Sequence, residues 1–289
     1  MTNPVVAVLG TGTMGAGMVR SLRRADIPVR AWNRDMSKAH ALTDSGAEVL
    51  DSPAEAAKGA DVVLTMLMDA DSAIEVIRRA APAEGTIWLQ CSTVGVEGVE
   101  ATITTARELG LVLVDCPVQG TRVPAETGNL VLLASGPEDC RERLAPVFDA
   151  VGAKTLWLGE AGAGSRLKLA TNAWVLTLTS GVAQSIALTR ALGLDPQDFF
   201  TAIEGGPLDN AYARVKGANM IDDDYPVNFA LPGALKDARL IRAALQSSGV
   251  ADRLIAAVVE TLEVAAGQVP DPNAVDMGAL ITGLTPRQR

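Results

Sequence analysis

The chain has 289 residues, 48% of them hydrophobic and 20% charged, with 25 basic against 34 acidic side chains. A chain of this length accommodates about two domains with a substantial core, and its net charge of −9 argues against binding to nucleic acid or an anionic membrane, both of which want a basic patch. The single histidine, His40, rules out sites that need several imidazoles, such as histidine-rich metal sites and histidine proton relays, and points any proton chemistry toward another side chain.

The N-terminal MTNPVVAVLG has neither a basic leader nor an apolar stretch ending at a small-residue cleavage site, so no signal peptide is expected. Residues 5–10 (VVAVLG) read as a strand, followed by a glycine turn and a helix through Arg23. Further strands are expected at 28–32, 61–67 (DVVLTML), 86–91 (TIWLQC), 111–118 (LVLVDCPV), 129–135 (NLVLLAS) and 155–159 (TLWLG). Between them, 37–45, 53–59, 71–80 and 96–109 are rich in Ala, Glu, Lys and Arg and read as helices. This alternation predicts an α/β fold with a mostly parallel sheet covered on both faces. From 165 to 267 the pattern is helical, and Gly159, Gly162 and Gly164 mark a boundary. The expected architecture is therefore a Rossmann-type α/β domain over 1–163, then an all-α domain over 164–289.

The helical half opens with 21 uncharged residues between Lys168 and Arg190, eight of them polar, which reads as a buried soluble helix rather than a membrane span. A helix about 30 Å long with no charged face has to be covered on nearly all sides. That predicts a partner subunit, a homodimer or homotetramer formed through the 165–190 helix.

Gly10-Thr11-Gly12-Thr13-Met14-Gly15 matches G-x-G-x-x-G with a strand before it and a helix after it. Gly10 permits the tight turn, Gly12 lets a pyrophosphate approach the backbone, and Gly15 lets helix and strand pack closely. The phosphates of a dinucleotide would then lie at the positive end of the helix. The second strand ends Trp32-Asn33-Arg34-Asp35, without the acidic residue in strand-end register that holds the ribose hydroxyls of NAD. Asn33 is neutral, and Arg34 can stack on adenine and pair with a 2′-phosphate, with Ser37 and Lys38 as further donors. NADP(H) is expected over NAD(H), which stays open because Asp35 would repel a phosphate if it pointed inward and Arg34 also reads as a solvated charge.

For the proton, Lys168 and Asn172 lie four residues apart on one face of the long helix. A lysine at the edge of an apolar helix can lose solvation and so gain a useful acid–base range; on the residues alone, an ordinary snorkelling lysine is the competing reading. The motifs GTGTMGAGM at 10–18, CST at 91–93, PVxG at 117–120, GAGSRLKLATN at 162–172 and Lys236-Asp237 occur in this order. Together they resemble the β-hydroxyacid dehydrogenase family, which includes 3-hydroxyisobutyrate dehydrogenase and the glyoxylate/succinic semialdehyde reductases, and the resemblance runs from Val5 to about Ile281. It implies an NADP-dependent enzyme interconverting a short hydroxyacid and the matching aldehyde or keto acid. It further implies that Lys168 is the general acid–base, that Asn172 holds substrate and lysine, that Met66, Leu67, Ser92 and Thr93 line the nicotinamide side, and that Lys236 closes over the cofactor. Asp276 corresponds to a family residue near the cleft.

One departure stands out. The family serine that binds the substrate carboxylate is Gln119 here, followed by Gly120, Thr121 and Arg122. Gln119 keeps an N–H donor but is longer, and the backbone N–H groups of Gly120 and Thr121 remain available to an anion, while Arg122 reads as a surface residue. Competing readings are an imine reductase, whose relatives carry Asp or Tyr in place of Lys168, a 6-phosphogluconate dehydrogenase, and a catalytically silent dinucleotide-binding module. Trp32, Trp88, Trp157 and Trp174 read as packing residues, and Asp222-Asp223-Asp224 as a solvated loop that lacks the further oxygen ligands of a metal site. Cys91, Cys116 and Cys140 stand 24 or more positions apart, which suits neither a zinc pair nor a disulfide framework. A reduced, cytoplasmic, metal-free chain with a small-molecule substrate is expected.

Overall fold

A computed structural model describes residues 3–284, and the chain divides into two compact units, 1–168 and 169–289. The first unit runs β1 (Val6–Leu9), α1 (Thr13–Arg24), β2 (Val29–Trp32), α2 (Met36–His40), β3 (Glu48–Val49), α3 (Pro53–Ala57), β4 (Val62–Thr65), α4 (Ala70–Ala80), β5 (Ile87–Gln90), α5 (Gly95–Glu108) and β6 (Val112–Asp115). It continues through β7 (Val118–Gln119), α6 (Arg122–Thr127), β8 (Leu130–Ala134), α7 (Cys140–Val151) and β9 (Gly152–Trp157) to the first turns of α8 (Ala163–Ala191).

Six strands form a parallel sheet in the order β3-β2-β1-β4-β5-β6, with the order reversing at β1. Alternate residues of each strand face opposite sides, so Val6 and Val8 pack with Met18, Leu22, Leu130 and Phe148, while Ala7 and Leu9 pack with Trp32, Val63, Ile77 and Trp88. Both faces are therefore covered, which is why these strands read as unbroken apolar runs.

The run at 111–118 is not one strand. It breaks after Asp115, where Asp115 and Ser135 exchange backbone hydrogen bonds of 2.9 and 2.8 Å. Pro117 has no N–H to continue the ladder, and Val118–Gln119 turn into a second sheet ordered β7-β8-β9, antiparallel to β8. α7, absent from the expected helices, covers this region with Leu144, Val147 and Phe148 buried.

The second unit holds the rest of α8, then α9 (Pro196–Ile203), α10 (Ala211–Ile221), α11 (Leu231–Ser247) and α12 (Arg253–Ala266), with 3₁₀ turns over Pro272–Ala274 and Met277–Leu284. Leu176, Ile186, Phe200, Met220, Leu231, Leu262, Met277 and Leu280 are buried there. α10 approaches α9 closely at Gly217, where a Cβ would lie 2.1 Å from the Phe200 ring.

Within the chain α8 is not covered on all sides. Lys168, Asn172, Leu176, Thr179, Ala183 and Ile186, spaced by three or four residues, are buried, whereas Ala170, Trp174, Gly181 and Leu188 form an exposed stripe on the opposite face. Trp174 is 63% exposed, so it is not a packing residue of the single chain as expected; it points away from the face that carries Asn172. No helix among the described residues is long and apolar enough to cross a membrane.

Candidate active site

The sequence signature at the end of β1 folds as a strand, a turn and a helix because two of its glycines have no room for a side chain. Gly10 sits at φ +105°, where a Cβ would come within 2.4 Å of the Met66 carbonyl, and a Cβ at Gly15 would lie 1.9 Å from the Gly10 carbonyl. Gly12 differs: it caps α1, and a Cβ built on it meets nothing within 4 Å. Open space at the start of a 12-residue helix with no acidic residue in its first turn is suited to phosphate. Beside it, the buried Thr11 hydroxyl has no hydrogen-bond partner among the described residues, as a group awaiting a ligand would be. These residues fit the pyrophosphate of a dinucleotide.

The end of β2 is tied to this loop. Thr11 N–H donates to the Asn33 side-chain oxygen at 3.0 Å, and the Asn33 amide donates to the Asp35 carbonyl at 2.9 Å. Asn33 therefore holds the turn with both ends of its side chain. The Asp35 carboxylate caps α2, accepting from the Ser37 hydroxyl at 2.7 Å and from Ser37 N–H at 3.1 Å. The Ser37 hydroxyl bond holds the Asp35 carboxyl below the usual carboxylate range and commits that hydroxyl to the chain itself. Arg34 is exposed beside them.

Met66 and Leu67 follow β4 and are half-buried, as is Thr93 after β5. Leu67 N–H donates to the Ser92 hydroxyl at 2.9 Å. The buried Gln90 amide in turn clamps the Ser92 backbone, accepting from its N–H at 2.7 Å and donating to its carbonyl at 2.9 Å. Gln90 is not among the expected site residues; its signal is a polar side chain inside the apolar run TIWLQC.

Lys168, 8% exposed, donates from Nζ to the Val118 carbonyl at 2.7 Å and lies 3.4 Å from the Gln119 side-chain oxygen. Lys168 and Gln119 are thus neighbours. Gly120 follows at φ +125° and Thr121 caps the short α6. The start of α8 is held by Asp115, fully buried at the end of β6, whose carboxylate accepts the Ser165 hydroxyl at 2.7 Å and Ser165 N–H at 2.8 Å. Burial pushes the Asp115 carboxyl up, against the opposing pull of its bonds from Ser165, Ser135 and Gly162.

Asn172 and Lys236 belong to the second unit and meet there at one carboxylate. Asn172 Nδ2 donates to Asp237 at 2.7 Å, and Lys236 Nζ lies 2.9 Å from the other Asp237 oxygen. Asp276 is also buried, paired with Lys216 and accepting N–H bonds from Asn228, Phe229 and Gly278. Among the described residues no His, Cys, Asp and Glu side chains cluster to hold a metal ion.

Residues 5–159 match the family model described as the NAD binding domain of 6-phosphogluconate dehydrogenase, and residues 162–282 match that described as NAD-binding of NADP-dependent 3-hydroxyisobutyrate dehydrogenase. Glyoxylate/succinic semialdehyde reductase 2 of Arabidopsis thaliana is 32% identical over 90% of this chain and 74% of its own length. The NAD-dependent L-serine dehydrogenase of Pseudomonas aeruginosa is 30% identical over 84% of this chain and 86% of its own. A solved structure of Mycobacterium tuberculosis 3-hydroxyisobutyrate dehydrogenase with L-serine superimposes with a TM-score of 0.86 at 25% identity, covering 99% of this chain and 100% of that one. With an open glycine turn on a parallel sheet, and family models spanning nearly its whole length, the chain belongs to the β-hydroxyacid dehydrogenase family of NAD(P)-dependent oxidoreductases.

Proposed function

We propose that the chain interconverts a short hydroxyacid and the corresponding aldehyde or keto acid, with Lys168 as general acid–base and NADP(H) preferred over NAD(H). The observation that carries this is the buried Lys168 ammonium beside Gln119, in a chain whose only histidine, His40, is an exposed residue at the end of α2. Bound at the Gly10–Gly15 turn, a nicotinamide dinucleotide supplies or accepts the hydride. In reduction Lys168 gives a proton from Nζ to the carbonyl oxygen; in oxidation it takes the hydroxyl proton back. Asn172, one turn further along α8 and itself held by Asp237, orients the substrate oxygen. Gln119 and the backbone N–H groups of Gly120 and Thr121 receive the substrate carboxylate. Met66, Leu67 and Thr93 line the nicotinamide side, Thr11, Thr13 and Met14 the phosphates, and Lys236 is a further cofactor residue, so that residues 1–163 carry most of the cofactor site and 164–289 carry the Lys168–Asn172 pair and the partner surface.

The names of the relatives support short, carboxylate-bearing substrates. Assaying glyoxylate, short semialdehydes and 3- and 4-hydroxyacids with both cofactors tests this: turnover of at least one is expected, and none from folded protein would overturn it.

Arg34 carries the cofactor preference. It is an exposed guanidinium beside the turn, while Asp35 is turned into its own helix cap and so does not oppose a 2′-phosphate. Arg34→Gln is expected to weaken NADPH binding about 10- to 100-fold, the equivalent of one charge-assisted bond, with little effect on NADH. Titrations of both cofactors check this; equal losses would contradict it.

A second copy of this chain is the proposed cover of the exposed α8 stripe, as a homodimer or homotetramer. Trp174→Glu combined with Leu188→Glu places two charges on that stripe and is expected to yield monomers in size-exclusion chromatography with light scattering. A wild-type monomer, or an unchanged oligomer in the variant, would contradict it. A cytoplasmic location belongs to the same proposal, in keeping with three cysteines that form no disulfide among the described residues.

A further inference from the structure

We infer that Asp115 is a positioning residue for the reaction: its carboxylate fixes the first turn of α8 and thereby the direction in which Lys168 presents Nζ. The inference rests on the reading of Lys168 as the proton carrier, and it concerns a residue that lies four positions before Gln119 and fifty before Ser165.

The geometry is a closed frame. On the strand side, Asp115 ends β6 and the chain continues through Cys116 and Pro117 to Val118. On the helix side, Ser165 opens α8 and the chain continues one turn to Lys168. Two rungs join the sides, Asp115 to Ser165 by bonds of 2.7 and 2.8 Å and Lys168 Nζ to the Val118 carbonyl at 2.7 Å, each between residues fifty apart. The frame is braced on both sides. Ser135 lies across from Asp115 by backbone bonds, its hydroxyl donates to the Asp115 carboxylate at 3.3 Å, and that hydroxyl accepts Gly164 N–H at 3.0 Å. Leu133 N–H donates to the Pro117 carbonyl at 3.0 Å. The helix start is pressed so closely onto these strands that a Cβ at Gly164 would stand 2.1 Å from the Leu133 carbonyl.

A carboxylate at this place does more than a neutral side chain would. Its two oxygens take a hydroxyl and a backbone N–H from the same serine, which sets both the position and the rotation of the turn. Its charge also faces the positive end of a 29-residue helix. A rotation of α8 about its axis would swing Nζ away from the Val118 carbonyl. Displacement of a reacting group by about 1 Å costs on the order of 10²-fold in rate.

The test uses the full chain with its nicotinamide cofactor and the best substrate of the panel above. Asp115→Asn is expected to lower kcat about 10- to 100-fold while the cofactor dissociation constant stays within about twofold, because the glycine turn is untouched. Ser165→Ala is expected to lower kcat in the same direction, and Ser165→Thr, which keeps the hydroxyl, to restore most of it. Wild-type kcat in folded Asp115→Asn and Ser165→Ala, with only a lowered Tm, would overturn the proposal by showing a scaffold role alone. If Asp115→Asn does not fold, Ser165→Ala and its threonine rescue decide. Lys168→Met measured in parallel separates the two readings. Turnover retained in that variant defeats the Lys168 assignment, whereas turnover lost there but kept in the Asp115 and Ser165 variants defeats only the positioning.

Discussion

Lys168→Met is expected to lower kcat/KM by about 10²- to 10⁴-fold, the range of a positioned acid–base group, and to leave cofactor affinity within about twofold. Methionine matches the lysine stem in length and fills its buried space, so the fold should tolerate it. The Val118 carbonyl loses its 2.7 Å donor, but that group lies on the strand side of the site and not on the cofactor turn. The turn itself depends on Gly10, Gly15 and the Asn33–Thr11 bond, none of which involves the lysine. Steady-state kinetics with cofactor titration by fluorescence check the split. A parallel loss of cofactor binding would mean that the variant had disturbed the fold rather than the chemistry.

Lys216→Met is expected to destabilise the second unit by about 3–5 kcal/mol and to lower its Tm by roughly 10 °C or more. Lys216 and Asp276 are paired at 2.5 Å with side chains 3% and 1% exposed, so removing the cation strands a carboxylate in the interior. The consequence is wide because Asp276 also receives the N–H groups of Asn228, Phe229 and Gly278 and so joins the chain before α11 to the final 3₁₀ turn. The Tyr212 ring lies 5.5 Å from the Lys216 ammonium, and burial raises that phenol to about 12, which keeps it neutral beside the pair. Calorimetry measures the loss. Lys216→Met/Asp276→Leu should recover only part of it, since the leucine leaves three backbone donors unmatched. A single variant within about 1 kcal/mol of wild type would show that Asp276 does not depend on its cation.

The features that could be read from the chain are the local ones. The glycine turn is a strand, a turn and a helix within twenty residues, and two of its glycines are demanded by atoms of the same motif or of Met66 just after the adjacent strand. Lys168 and Asn172 are one helical turn apart, so their common face follows from the helix period alone. What escaped the sequence joins distant segments. Asn172 meets Asp237 sixty-five positions away, and Lys216 meets Asp276 sixty away. Asp115 carried a signal, an acidic residue inside the apolar run LVLVDCPV, but its purpose depends on Ser165 fifty residues later. The same run also concealed the break at Pro117, because two short strands in different sheets have the same apolar pattern as one long strand. Trp174 is exposed rather than packed within the chain: an uncharged helix implies cover without saying whether the cover comes from the same chain.

The proton assignment is tested most directly by following one turnover in wild type and Lys168→Met side by side, with saturating reduced cofactor and the best aldehyde or keto acid. Rapid loss of reduced-nicotinamide absorbance is expected in the wild type and a rate lower by about 10²-fold or more in the variant, with cofactor fully bound in both. Equal single-turnover rates would contradict it.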